Sequence, residues 1–178
     1  MRPALCTALL FGVTLSCLAQ EPAPTPVELE VLRGSIGVWD AQIEVWPQGP
    51  DAVSIKFSGV ETNRAYGEYW IASDLDSEFM GQTIRAHSIV GYDVDQKKLV
   101  GMVVDDGVHA ANMTGDYDQE SNMVSWTTHA KDANGKPMLQ KTTTRQTSAT
   151  ERLLVLSVPG KEEDEFTKFM QIRFVKRQ

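Results

Sequence analysis

The sequence is poor in cysteine, since Cys6 and Cys17 are the only two in 178 residues. Both lie in an apolar N-terminal segment that has the layout of a removable leader, so the folded part would contain no thiol. A disulfide framework and thiolate catalysis are thereby excluded from that part. Its stability must come from a hydrophobic core, which about 150 residues can build in one domain.

The sequence also lacks a long hydrophobic run, and its longest apolar segment, Ala4–Leu15, is shorter than the ~20 residues that a membrane-spanning helix needs. Arg2 precedes this segment and Cys17-Leu18-Ala19 follows it, which predicts a signal peptide over residues 1–19 and export to the periplasm or the extracellular space. The alternative is a lipoprotein anchored through Cys17. Against it, Leu15 stands one position later than in a lipobox.

Basic residues are scarcer than acidic ones, and the formal net charge is −7. Removal of the leader takes away one arginine, which leaves 16 basic residues against 24 acidic ones and a net charge of −8. This balance argues against nucleic acid or an anionic membrane as a partner. The sequence gives no indication of the oligomeric state.

Helical periodicity is confined to one short stretch. Residues 20–27 contain Pro22, Pro24 and Pro26 and predict an extended tether. Glu28–Arg33 is predicted to form one or two helical turns. We therefore divide the chain into a signal peptide (1–19), a Pro-rich tether (20–27) and a single domain (28–178).

The rest of the chain has the pattern of antiparallel hairpins. In residues 88–104 a β-branched run ends in Gly91-Tyr92-Asp93, turns through polar residues and resumes as a second apolar run. A weaker copy follows at residues 114–126, and Asn134-Gly135 predicts a two-residue type I′ turn. About ten strands at this spacing predict an all-β fold, an antiparallel up-and-down barrel with a short N-terminal helix in front of it.

The sequence contains no recognisable catalytic or metal motif, and we predict neither a catalytic residue nor a cofactor. Asp74–Glu78 resembles a calcium loop only superficially, because Phe79 and Arg85 occupy the positions that require Gly and Glu. His87, His109 and His129 fall in three different predicted strands. They could converge on zinc or haem inside a barrel, but their spacing matches no ligand motif.

Several short motifs together resemble one known family. They are Gly37-x-Trp39 behind the helix, Gly91-Tyr92-Asp93 before Lys97-Lys98, Gly115-Asp116-Tyr117-Asp118, and Arg173 near the end. The chain is similar over Glu28 to Lys176 to a bacterial family of exported proteins known as domain-of-unknown-function family 1579. This resemblance implies a lipocalin-like, calycin-type barrel. It implies no activity, because the motifs belong to turns and core.

A barrel of this size predicts a binding module for a small hydrophobic or amphipathic molecule. Two arginines are candidate anchors for a carboxylate, and five large side chains are candidates for the cavity wall. These tentative ligand-binding residues are Arg64, Tyr66, Trp70, Tyr92, Met102, Trp126 and Arg145.

Two other classes of function compete with ligand binding. An enzyme, such as a hydrolase or isomerase acting on a lipid-like compound, would need a buried ionisable residue, for which His87 or His129 are the first candidates. A structural or envelope-interaction protein would instead need an exposed apolar patch on the barrel wall. The absence of a catalytic motif favours a protein that is not an enzyme.

The last expectation from the sequence is a barrel-closing pair of Trp39 and Arg173. In lipocalin-like barrels a Trp at the start of the first strand packs under an Arg from near the end of the chain. The order of Trp39 and Arg173 permits the same contact. We therefore expect the Arg173 guanidinium to lie within about 6 Å of the Trp39 ring.

Overall fold

The structure is a computed structural model that describes residues 25–107, 109–132, 134–162 and 165–178. The predicted signal peptide and most of the predicted tether therefore lie outside the described residues. One helix, α1 (Val27–Arg33), precedes the sheet and confirms the predicted helical turns. In the described part of the chain, no helix combines the length and apolarity needed to cross a membrane.

Ten strands follow the helix. They are β1 (Gly37–Val45), β2 (Ile55–Tyr66), β3 (Trp70–Phe79), β4 (Gln82–Asp93), β5 (Lys98–Asp105), β6 (Ala111–Asp118), β7 (Met123–Lys131), β8 (Pro137–Ser148), β9 (Glu151–Pro159) and β10 (Phe166–Lys176).

The ten strands form a closed antiparallel barrel in which each strand pairs with its neighbours in the chain. Closure comes from β1, which pairs with β2 on one side and with β10 on the other. In this last pair Trp39 lies opposite Lys176 and Ile43 lies opposite Ile172. The predicted all-β barrel of about ten strands with one short helix is confirmed.

The alternation of side chains along β1 decides which face of the sheet is inside. Trp39, Ala41 and Ile43 are buried, whereas Asp40 and Gln42 are exposed. Because cross-strand partners share a face, this assignment can be carried around the barrel from one register to the next. Two groups of buried apolar residues result: one contains Leu32, Ile71, Leu99, Val124 and Trp126, and the other contains Trp39, Ala41, Ile43, Ile172 and Phe174.

The two related hairpin motifs of the sequence form the same kind of turn. Asp93 closes β4 and its Oδ1 accepts hydrogen bonds from the backbone N–H of Asp95 and Gln96, both at 2.9 Å. Asp118 closes β6 and accepts from the backbone N–H of Glu120 at 2.9 Å in the same way. In each turn the fourth residue after the aspartate is left-handed, with φ of 54° at Lys97 and 51° at Asn122. The sequence repeat is thus a repeat of turn geometry.

The glycines of these motifs make room for tryptophans. Trp126 lies opposite Gly115 on the inner face, and a Cβ added at Gly115 would come within 2.6 Å of the Trp126 ring. Trp70 covers Gly91 from the outside, and a Cβ there would meet the Trp70 ring at 2.5 Å. Both glycines are needed because the indole ring occupies the space of a side chain.

The predicted two-residue turn at Asn134-Gly135 is wrong. The last strand pair before the turn is Lys131 with Pro137, and the connection between them is closed by backbone hydrogen bonds from Gly135 N to Asp132 O and from Asp132 N to Lys136 O, both 2.9 Å. This pattern is that of a longer hairpin connection with a left-handed residue near its end. Gly135 takes that position with φ of 78°. The Asp132 carboxylate also accepts from the backbone of Asn134 and Lys136, which favours the longer loop over the type I′ turn.

Replacement of Gly135 by Val should destabilise the barrel by about 1–2 kcal/mol, because a β-branched residue is strained in the left-handed region. Urea denaturation followed by tryptophan fluorescence measures this change. Gly135→Asn is the matched control, since asparagine tolerates positive φ, and it should cost clearly less. Equal midpoints for Gly135→Val and the unchanged protein would contradict the left-handed conformation.

Candidate functional site: a barrel cavity beside a buried ion pair

A cavity of about 280 Å³ lies inside the barrel, between the two buried apolar groups and below α1. The helix contributes Val31 and Leu32 to its wall. The end of the helix is fixed to the barrel through the Ser35 carbonyl, which accepts hydrogen bonds from Trp39 Nε1 at 2.7 Å and Asn63 Nδ2 at 3.0 Å. Arg33 also donates to the Glu68 carbonyl at 2.7 Å. The helix is thus held to the start of the barrel.

Most of the cavity wall is apolar. Val90, Val103 and Met113 line it from β4, β5 and β6, and Leu154 and Leu156 line it from β9. Trp126 reaches the cavity from β7, where its ring lies over Gly115. A wall of this kind suits an apolar molecule.

One strand gives the cavity a polar side. After Met138, the inward positions of β8 are Gln140, Thr142, Thr144 and Gln146, all of which line the cavity. Within the described residues, the Gln140 amide and the two threonine hydroxyls make no side-chain hydrogen bond to the protein. Among the described residues, the fully buried side-chain polar atoms that lack a hydrogen-bond partner are Asn63 Oδ1 and Arg152 Nε. The β8 groups are not among them and are therefore accessible from the cavity. The β8 groups therefore face the cavity with their hydrogen-bonding capacity unused.

The charged part of the wall is a buried ion pair. Arg152 on β9 donates through Nη2 to Glu61 on β2, and both side chains are 9% exposed. The Arg152 guanidinium carbon lies 4.0 Å from the centre of the Phe174 ring and 4.8 Å from that of Trp39. Arg152 and Glu61 both line the cavity. The pair joins strands that are far apart in the chain.

Desolvation is the largest electrostatic effect on Arg152. Burial lowers the pKa of the Arg152 guanidinium, and the neighbouring Glu61 carboxylate opposes that shift. An arginine nevertheless stays charged at neutral pH. Its charge is balanced by Glu61 and by the faces of the two aromatic rings.

The expected pair of Trp39 and Arg173 is wrong, because Arg173 lies on the outer face. Ile172 and Phe174 point inward on β10, so Arg173 between them points outward. Its guanidinium donates to Glu151 at 3.1 Å. The ring of Trp39 is instead covered by Arg152 of β9, and the Lys176 ammonium lies 5.2 Å from the centre of the same ring. An arginine does cover the Trp39 ring, but it is Arg152, and the expected closure by Arg173 is given up.

Of the seven tentative ligand-binding residues, Trp126 lines the cavity. Tyr92 packs against the buried group around Leu99. Both residues are on the inner face, because Tyr92 pairs with Leu99 and Trp126 pairs with Gly115 and Thr142.

The other five candidates face away from the cavity. Tyr66 is 68% and Met102 43% exposed, and Trp70 lies on the outer wall over Gly91. Arg64 and Arg145 are also exposed, so neither can anchor a ligand inside the barrel. All five alternate with inward residues, and the sequence alone did not fix which set is inside.

The three histidines do not converge inside the barrel. His87 and His129 alternate with inward-facing residues and lie on the outer wall, and His109 is exposed between β5 and β6. The idea of an internal zinc or haem site built from them is therefore wrong, as is the choice of His87 or His129 as a buried catalytic base. Among the described residues, no three His, Cys, Asp or Glu side chains gather as metal ligands would.

A second, shallow groove of about 360 Å³ lies on the outer wall across β2 to β5. In it His87 Nδ1 is 2.7 Å from Asp74 Oδ1, and Arg64 bonds to the other oxygen of Asp74. The hydrogen bond from His87 is the main cause that holds the pKa of Asp74 below its usual value, while desolvation opposes it. Arg85 extends the row by pairing with Asp76 at 3.3 Å. These contacts form a ladder of cross-strand ion pairs on the sheet surface.

Removing Arg152 should be far more costly than removing Arg173. Arg152→Met leaves the Glu61 carboxylate buried and unpaired, which we expect to cost about 3–5 kcal/mol of the free energy of unfolding. Arg173→Met, the matched control on the outer wall, should cost about 0–1 kcal/mol. Urea denaturation of both variants measures the difference. Similar losses would contradict the buried pair, and Glu61→Gln with Arg152→Met should recover part of the loss.

The lowered pKa of Asp74 predicts a pH-dependent stability. A carboxyl group whose pKa is depressed by folding stabilises the protein above its unfolded pKa, about 3.9, and this contribution is lost as the pH falls through the folded pKa. Asp74→Asn should therefore destabilise the protein at pH 7 and have little effect near pH 3. Thermal melts at both values test this, with Asp95→Asn in an exposed turn as the control. A cost for Asp74→Asn that is the same at both pH values would refute it.

A family model described as "Protein of unknown function (DUF1579)" matches residues 26–176. A search of curated proteins finds no match. Among solved structures, the crystal structure of Rv2717c from M. tuberculosis is similar, with a TM-score of 0.63 and 9% identity over 84% of this chain and 97% of that chain. The S-type phycobiliprotein lyase CPES from Guillardia theta is similar with a TM-score of 0.57 and 10% identity over 86% of this chain and 94% of that chain.

At these identities the two structures show a shared lipocalin-like barrel and nothing about activity. The family model, in contrast, spans most of the chain and confirms the resemblance noted in the sequence. This protein therefore belongs to the DUF1579 family.

Proposed function

We propose that this protein binds a small amphipathic molecule in the cavity of its barrel. The observation that carries the proposal is the row of inward polar side chains on β8, in a cavity that also has a large apolar surface. Polar groups that face a cavity can form their hydrogen bonds with solvent or with the polar groups of a bound molecule. Inward groups without a protein partner are suited to a bound molecule.

The composition of β8 separates this proposal from simple core packing. A core strand needs an apolar inner face, as β1 has with Trp39, Ala41 and Ile43. On β8 the inner positions Thr142 and Thr144 alternate with the outer Lys141, Thr143 and Arg145, so neither face over this stretch is apolar. Packing alone gives no reason for such a strand inside a barrel.

An enzyme using the same cavity has weaker support. General acid–base catalysis needs an ionisable group that is free to exchange a proton with the substrate. The ionisable residues among those that line the cavity are Glu61, Arg152 and His87. Glu61 and Arg152 bind each other, and His87 Nδ1 is bound to Asp74 on the outer wall. We therefore place binding ahead of catalysis.

A role for the outer wall also has weaker support. Trp70, Met102 and Val104 are partly exposed on β3 and β5. Partly exposed apolar side chains are ordinary on protein surfaces. Trp70 in addition has a structural purpose, since it covers Gly91.

We also propose that the chain is exported before it binds its ligand. The support is the layout of residues 1–19, with Arg2, an apolar segment and small residues around Ala19. A short tether would then precede the barrel.

Binding of the neutral fluorescent probe N-phenyl-1-naphthylamine tests the cavity. The unchanged protein should bind the probe with a saturable rise in fluorescence. Val103→Trp fills the cavity from β5 and should weaken binding at least tenfold, because the larger side chain occupies the ligand space.

The matched control is Val104→Trp, whose side chain points outward from the next position of the same strand. It should leave probe binding unchanged. Either of two results would refute the proposal: weak binding by the unchanged protein, or equal binding by the unchanged protein, Val103→Trp and Val104→Trp. Thermal melts would show that each variant is folded.

A further inference from the structure

We infer that the ligand of this cavity is an uncharged molecule that carries hydroxyl, carbonyl or amide groups beside an apolar part. The inference rests on the proposed function and specifies its ligand class. It follows from two independent features of the cavity wall: the state of its charges and the arrangement of its neutral polar groups.

The charges of the wall are already matched. Arg152 would be the natural anchor for a carboxylate, but Glu61 occupies its guanidinium and both side chains are 9% exposed. A ligand carboxylate would bring a second negative charge to one buried cation, and two carboxylates at a shared buried site repel each other. A ligand ammonium would meet the same obstacle beside Arg152. The pair therefore disfavours charged groups of either sign.

The access to Arg152 is restricted as well. Its guanidinium lies against the rings of Phe174 and Trp39, at 4.0 and 4.8 Å from their centres. Its Nε atom has no hydrogen-bond partner and is fully enclosed. The rings therefore shield the guanidinium, and its Nη2 is already bound to Glu61.

The neutral polar groups are accessible. Thr142, Thr144 and Gln140 follow one another at every second position of β8, so their side chains form a single line along the inner wall. Thr128 on β7 lies directly across from Gln140 and adds a further hydroxyl. Hydroxyl and amide groups both donate and accept hydrogen bonds. They can therefore bind neutral ligand groups that donate hydrogen bonds, accept them, or do both.

The opposite wall sets the rest of the ligand. β4, β5 and β6 contribute Val90, Val103 and Met113, which offer no hydrogen-bonding group apart from the weak acceptor sulfur of Met113. Ser73 on β3 and Ser88 on β4 add two hydroxyls to the wall across from β8. The cavity volume of about 280 Å³ is at the small end of ligand sites. A compact uncharged molecule that combines polar groups with an apolar part fits this lining.

Octanamide and octanoate are the probes for this inference, because they have the same length and shape and differ in charge. Isothermal titration calorimetry at pH 7.5 should show octanamide binding at least tenfold more tightly than octanoate. The Thr142→Val, Thr144→Val double variant keeps the side-chain shape and removes two hydroxyls. It should weaken octanamide binding at least fivefold, whereas the outward control Thr143→Val should not.

A second variant tests the masking of Arg152. Glu61→Gln leaves the guanidinium without its counter-charge, so octanoate should then bind more tightly than octanamide. Thermal melts accompany each titration, and if Glu61→Gln does not fold, the comparison of the two probes on the unchanged protein and the threonine variants still decides the question.

The outcomes separate this inference from the proposed function. Octanoate binding equal to or tighter than octanamide on the unchanged protein would overturn the uncharged ligand, while binding of N-phenyl-1-naphthylamine would leave the cavity proposal standing. Equal effects of the Thr142/Thr144 and Thr143 variants would overturn the role of β8. Failure of all three probes to bind would refute the proposed function itself.

Discussion

The interaction on which the rest of this structure depends is the buried contact of Arg152 with Glu61, Trp39 and Phe174. It connects β9, β2, β1 and β10 and so spans the seam where the barrel closes. Trp39 also donates to the Ser35 carbonyl, which links the same cluster to the end of α1. Closure of the sheet, attachment of the helix and neutralisation of the cavity charge thus share one set of side chains. The neutral cavity is a direct consequence of how the barrel is closed.

Much of the fold could be predicted because the period of two is a local property. The alternation of Trp39, Ala41 and Ile43 with polar residues placed β1 correctly, and the Gly-Tyr-Asp motif identified the β4–β5 hairpin. The turn at Gly135 was placed correctly but given the wrong type. Its geometry depends on the Asp132 carboxylate, which accepts from two backbone groups, and a dipeptide rule takes no account of that.

The site was harder to predict because it depends on register between strands. Arg173 and Phe174 are adjacent, and an error of one position exchanges the inside for the outside. Leu153, Leu154, Val155 and Leu156 are all apolar, so the run gives no sign that Arg152 faces inward. The strongest signal that was available is on β8, where polar residues occupy both faces of a strand inside a barrel.

The polar interior of β8 has a consequence for how that strand finds its place. A strand normally holds its register because a slip by one residue would expose its apolar side chains. For β8 such a slip would exchange Thr142 and Thr144 for Lys141 and Arg145, and would bring two cations into a cavity whose one carboxylate is already paired. The correct register is therefore favoured because the shifted register would bury Lys141 and Arg145. The two outward cations thereby specify the register of a strand whose inner face has few apolar side chains to do so.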